Sequence, residues 1–193
     1  GKPIITTLNG QKHQVFGWQD IRLKSFWKLN KRLLGNCEIP DLELFPKYYP
    51  QLKNIRFQAA LELKFLQLGL FTLSWLVRLK LLPALNQLAP YLLSISHWFD
   101  YLGHNDTGFY MLMKGNDNEG KEKSIRFDIH AEQGHGLYIP CMPAVILTKK
   151  WARGQLSLKG ALPCIGVITL EEYLNELKHL NLKITWREIE KES

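Results

Sequence analysis

Cysteine is scarce in this chain. There are three, Cys37, Cys141 and Cys164, and no C-x-x-C pair among them. An odd, dispersed set excludes a disulfide framework and a zinc ribbon, and points to a reducing, cytoplasmic setting. No signal-peptide pattern opens the sequence, and Gly1-Lys2-Pro3 has no Met, so a fragment or processed chain is expected. Long uncharged apolar runs are also missing. Residues 65–82 come nearest, but they include Gln67, Ser74, Arg78 and Lys80. A spanning helix needs about 20 mostly apolar residues without such charges. A buried helix is expected there, with a membrane-surface role as the alternative. Neither G-x-G-x-x-G after a strand nor G-x-x-x-x-G-K-[ST] occurs. Those turns let a backbone approach phosphate at a helix amino terminus, so no nucleotide cradle is recognisable.

What is present suits one folded domain. The chain has 193 residues, 46% hydrophobic and 22% charged, which excludes global disorder. Its formal charge of +7 permits contact with phosphates, anionic lipid or acidic substrates, and is equally met by a solvated basic surface.

Asn9-Gly10 between residues 4–8 and 11–16 predicts a β-hairpin with a type I′ turn. Asp20 is placed to cap a helix over 20–34, with Leu23, Phe26, Trp27, Leu33 and Leu34 as its packed stripe and Lys24, Lys28, Lys31 and Arg32 on its wet side. Those aromatics fall away from the charges, unlike a base-stacking platform, so nucleic acid is not expected. A Pro-marked irregular stretch follows, with Pro40, Pro46 and Pro50. Residues 56–65 alternate as a half-buried strand. Two apolar helices, 66–82 and 83–101, are expected to break at Pro83, with a kink or division at Pro90. Residues 109–114 and 121–131 read as a second hairpin. Its second arm alternates Ile125, Phe127, Ile129 and Ala131 with Ser124, Arg126, Asp128 and His130, spaced ~7 Å along one face. Gly134-His135-Gly136 leads into a helix. Pro140 and Pro143 suit its first turn, Ala144, Val145, Leu147, Thr148 and Trp151 form its inner face, and Gly154 stops it. Thr169-Leu170-Glu171-Glu172 is a capping box opening a helix to about His179, and 182–189 is a last strand. There is no regular βαβ alternation. The expected class is α+β, a mixed, largely antiparallel sheet with helices packed on one face.

Several groups have the residue types for chemistry, each beside a structural explanation. Asp128 and His130 could work as an acid/base pair, or belong to a hydrogen-bonded sheet face. His130, Glu132 and His135 have ligand atoms but no evident fourth partner, so no metal site is expected. Amides of the Gly134–Gly136 turn could hold a carboxylate or phosphate, or the glycines could serve only to let the chain turn. Cys141 near His135 is a nucleophile in one reading and an inert thiol in the other. Lys149, Lys150 and Arg153 complement a helix carboxy terminus.

From Ala131 onward the sequence resembles the tail of saccharopine dehydrogenase-like oxidoreductases, in their bacterial, uncharacterised branch. The likeness rests on the Gly134–Gly136 turn, Pro143-Ala144, Ala152-Arg153-Gly154-Gln155-Leu156, Lys159-Gly160-Ala161-Leu162-Pro163 and the cap at Thr169. The stretches NCEIPDLELFP and ELKFLQLGLFTLSWLVRL are similar to the same branch. The resemblance implies a carboxy-terminal substrate and dimerisation domain over the whole of 1–193. An amino-terminal Rossmann domain, absent from this chain, would bind NAD(P). It also implies substrate contacts from Arg126, His130, Gly134, His135 and Gly136, with no cofactor contact from this chain. Partners implied are the Rossmann domain and a second copy of the chain, and a peripheral lipid contact or a purely non-catalytic dimerisation role are the rival expectations.

Overall fold

The computed structural model describes residues 1–82, 85–157 and 159–189. The expected break at Pro83 lies outside the described residues. The chain forms two compact units, Gly1–Ser25 with Asn30–His104, and Phe26–Leu29 with Asn105–Ser193. The fold is α+β with antiparallel sheets, as the pattern predicts, its strands divided over three small sheets.

In the first unit, β1 (Pro3–Leu8) and β2 (Gln11–Phe16) pair antiparallel around Asn9-Gly10. Asn9 and Gly10 have φ of 51° and 76°, the left-handed pair that a type I′ turn requires. The helix expected over 20–34 is instead two strands, β3 (Arg22–Phe26) and β4 (Leu29–Asn36), neighbours in a sheet with the short β5 (Gln58–Ala59). Asp20 and Lys28 adopt φ of 55° and 61°, which helical backbone does not allow. Asp20 caps nothing; its carboxylate holds Arg22 at 3.2 Å and Arg56 at 3.3 Å. The predicted stripe fails with the helix, since Leu23 is exposed and only Leu34 of the set is buried.

The Pro-marked stretch contains a short helix, α1 (Asp41–Tyr48), with Pro46 inside it. The strand expected over 56–65 shrinks to β5, which pairs with β4 only at Gly35 and Asn36, and residues 64 and 65 belong instead to helix α2 (Lys64–Arg78). The segment is divided near Pro90, the second of the two expected outcomes: a 3-10 turn at Leu85–Gln87 precedes helix α3 (Ala89–His97), and Pro90 sits in the first turn of α3, where its missing amide costs no hydrogen bond. No helix among the described residues is long and apolar enough to cross a membrane.

In the second unit, β6 (Thr107–Asn116), β7 (Glu122–Ala131) and β8 (Leu182–Glu188) form an antiparallel sheet with β7 in the middle. Asp117 shapes the β6–β7 turn, its Oδ1 accepting from the amides of Glu119 and Lys121. Helix α4 (Tyr138–Ala152) follows a single turn of 3-10 helix at His135–Leu137. Its inner face is not the predicted one. Met142 and Ile146 are buried with Leu177, whereas Val145 and Trp151 are exposed. Helix α5 (Leu170–Leu177) opens with the predicted box: the Thr169 side chain accepts from the Glu172 amide, and the Glu172 carboxylate accepts from the Thr169 amide.

Pro143 lies in the second turn of α4, not the first, and so leaves the Ile139 carbonyl without its i+4 donor. The Tyr173 hydroxyl of α5 donates to that carbonyl at 2.8 Å. Burial pushes the Tyr173 hydroxyl above its ordinary pKa, which keeps it a donor. Lys149 and Lys150, predicted to serve the helix dipole, reach across to Glu176 and Glu172 and tie the two helices together.

Candidate functional site

The central strand β7 carries a row of charged and polar residues on one face. Two-residue periodicity places Arg126, Asp128 and His130 on that face, opposite Phe127, Ile129 and Ala131. Both faces are covered: Asp128 is 1% exposed and His130 3%. The cover comes partly from Phe26–Leu29. Phe26 meets Tyr110 edge-on at 5.2 Å, and Leu29 fills the space that a side chain at Gly108 would take. Gly108 and Tyr110 are the β6 partners of His130 and Asp128.

A buried carboxylate needs compensating donors. Arg126 supplies two nitrogens, Nε at 2.9 Å from Oδ2 and Nη2 at 2.9 Å from Oδ1, and its guanidinium stacks 4.4 Å over the Tyr110 ring. Arg187 of β8 donates to Asp128 Oδ2 at 3.0 Å. Arg126 and Arg187 are direct cross-strand partners. Like charges at such a pair repel, and Asp128, one diagonal step away, offsets both. Both oxygens of Asp128 are thus engaged by guanidinium groups, which ties β7 to β8.

Toward the end of β7, the Glu132 carboxylate is hydrogen-bonded by Lys183 Nζ and lies 3.4 Å from His130 Nε2. The Lys183 hydrogen bond holds Glu132 below the usual carboxylate range, and Glu132 in turn raises Lys183. His130 Nδ1 is buried without a hydrogen-bond partner. Beyond Glu132 the chain turns through Gln133 and Gly134, with φ of 56° and 77°. His135 Nδ1 accepts from the Asn181 amide at 2.8 Å, and Asn181 Nδ2 donates to Gln133. A Cβ on Gly136 would come within 2.5 Å of Thr107, so a larger residue does not fit.

Two of the three amides of the turn are taken up by backbone carbonyls. Gly134 N donates to the Asn105 carbonyl at 2.8 Å, His135 N to Glu132 at 3.1 Å and Leu137 N to Gly134 at 3.4 Å. A pyrophosphate needs several convergent unpaired amides, so these residues do not fit a dinucleotide. Cys141 is exposed, and His135 is occupied with Asn181 and edge-on to Tyr138. Among the described residues no group of His, Cys, Asp and Glu has the grouping to hold a metal ion. A crevice in the first unit, beside Cys37 and lined also by Ile4, Thr6, Asn36, Leu42 and Phe57, has a volume of about 10 Å³, room for about one water.

The five residues expected to touch substrate thus come together along one strand and its following turn, and each also has a role within the unit. Arg187, Lys183, Tyr110 and Asn181 complete the set and were not anticipated. The alternation of Lys183, Thr185 and Arg187 in the last strand was a usable signal, but its meaning required knowing that β8 pairs with β7. No protein-family model matches the chain, and no curated protein matches it.

Proposed function

We propose that this chain is the carboxy-terminal, substrate- and dimer-contacting part of a saccharopine dehydrogenase-like NAD(P)-dependent oxidoreductase in a reducing, cytoplasmic setting. The cofactor is then carried by a Rossmann domain outside these residues. The observation that carries the reading is the state of the Gly134–Gly136 turn, the nearest thing to a phosphate cradle in the sequence. The amides of Gly134 and His135 are spent on backbone carbonyls, and the sheets are small and antiparallel. A dinucleotide site of the doubly wound kind needs parallel strands and free amides at a helix start. The motifs from Gly134 to the Thr169 cap lie in one unit, from the β7 end through α4 to α5. Dimer contacts have a candidate in β6, an edge strand with Met111, Leu112 and Met113 exposed.

In this reading the protein supplies shape and charge, and the hydride comes from the cofactor. The Glu132–Lys183–His130 group and the adjoining turn form the wall toward the substrate, while the Arg126–Asp128–Arg187 clamp holds that wall rigid. The test is NADPH binding by the product of the complete reading frame that encodes this chain, followed by NADPH fluorescence. Binding there, lost on trimming to residues 1–193, is expected. A complete product that leaves NADPH fluorescence unchanged contradicts the proposal.

A further inference from the structure

Helix α2 is turned inside out. Its fully buried side chains are polar, Gln67 and Ser74. Phe65, Leu68, Trp75 and Leu79 face solvent at 48%, 48%, 39% and 59% exposure. With Thr72 they follow steps of three and four residues, one continuous stripe of a helix. Gln67 accounts for part of this inversion, since its Oε1 accepts from the Leu61 amide and anchors the helix start. The segment after α2 continues the pattern. Tyr91, Ile95, Trp98 and Leu102 are exposed at 70%, 44%, 72% and 43%, again in steps of three and four. Phe65 and Phe99 meet edge-on at 5.0 Å and join the start of α2 to the end of this segment. Exposed apolar area of this extent marks a contact surface rather than a solvated one.

Charge identifies the occupant. From Lys64 to Phe99 there is no Asp or Glu, while Lys64, Arg78 and Lys80 are cationic. Aromatic residues with a polar edge, Trp75, Tyr91 and Trp98, sit within the exposed stripes, and such side chains favour the level of lipid headgroups. No helix here can cross a bilayer among the described residues. An apolar stripe, interfacial aromatics and cations, with no carboxylate in α2 or α3 and the nearby Asp100 paired with His97, together describe a helix pair that lies in a headgroup layer. We propose that α2 and α3 form a docking surface for an anionic lipid membrane. This stands apart from the oxidoreductase reading and does not rest on it. Residues 20–34, expected as a helix with a lysine-rich side, form strands and are not part of this surface.

The test is flotation of the 193-residue chain with vesicles of phosphatidylcholine alone and of phosphatidylcholine mixed with phosphatidylglycerol. Binding to the anionic vesicles should be roughly tenfold or more stronger and weaken with added salt, because each surface cation favours anionic lipid. The double change L68E/L79E should abolish it. A second variant, K64E/K80E, should lose the anionic preference; Glu at position 64 suits a helix amino terminus, so the helix is kept. Circular dichroism on each variant reports folding. The proposal is overturned by a chain that stays in the soluble fraction at low salt, by equal binding to neutral vesicles, or by L68E/L79E chains that bind as before. It is also overturned by dimers in light scattering that L68E/L79E dissolves, since the occupant is then a second copy.

Discussion

Asp128 carries the charge balance of the sheet face, and its replacement by Ala leaves Arg126 and Arg187 facing each other with no anion between them. Removing one partner of a buried ion pair costs about 3–5 kcal/mol. Chemical denaturation of D128A should show a loss of that order, while a conservative change at exposed Glu119 should show almost none. Glu132 gives a pH signature of known sign. Its folded pKa lies below its ordinary value because Lys183 donates to it. The stabilisation is therefore complete above about pH 4.3, the unfolded value, and is lost as pH falls through the depressed folded value. Melting temperature against pH should fall on the acid side, and E132Q should make that limb shallower; an unchanged limb would place Glu132 outside the balance. At this scale the sequence was half legible. Alternation put Arg126, Asp128 and His130 on one face, but it could not reveal that residues 26–29, distant in sequence, cover that face. Nor could it show that the last strand brings a second arginine.

Elements were legible where a local rule fixes them. Asn-Gly demands its turn, and Thr169 with Glu172 closes its capping box, because both depend only on neighbouring residues. The stretch 20–34 misled because apolar residues three and four apart also arise by chance in a hairpin, and its left-handed positions are filled by Asp20 and Lys28, which give no glycine signal. Helix α4 has apolar residues around much of its circumference, so its inner face was set by what it packs on. The Tyr173 hydroxyl completes α4 where Pro143 breaks its hydrogen-bond ladder. Tyr173→Phe should cost about 1 kcal/mol, the net worth of one hydrogen bond. Restoring an amide with P143A should shrink that cost, because the Ile139 carbonyl regains its helical donor. A double-mutant cycle in urea reads the coupling, and simple additivity would contradict the assignment. Since the Tyr173 pKa is raised, its contribution holds below about pH 10 and fades as pH rises through the folded value.

At the level of the whole chain, the α+β class followed from hairpin signals and from the lack of βαβ alternation. The inverted helix α2 did not: an apolar run reads as core, and only the buried positions of Gln67 and Ser74 reveal which side is out. The account rests on the Gly134–Gly136 turn being closed to phosphate. Isothermal titration of the 193-residue chain with NADPH examines this directly. The heats should not exceed those of dilution at any accessible concentration; saturable binding in the micromolar range would contradict the account.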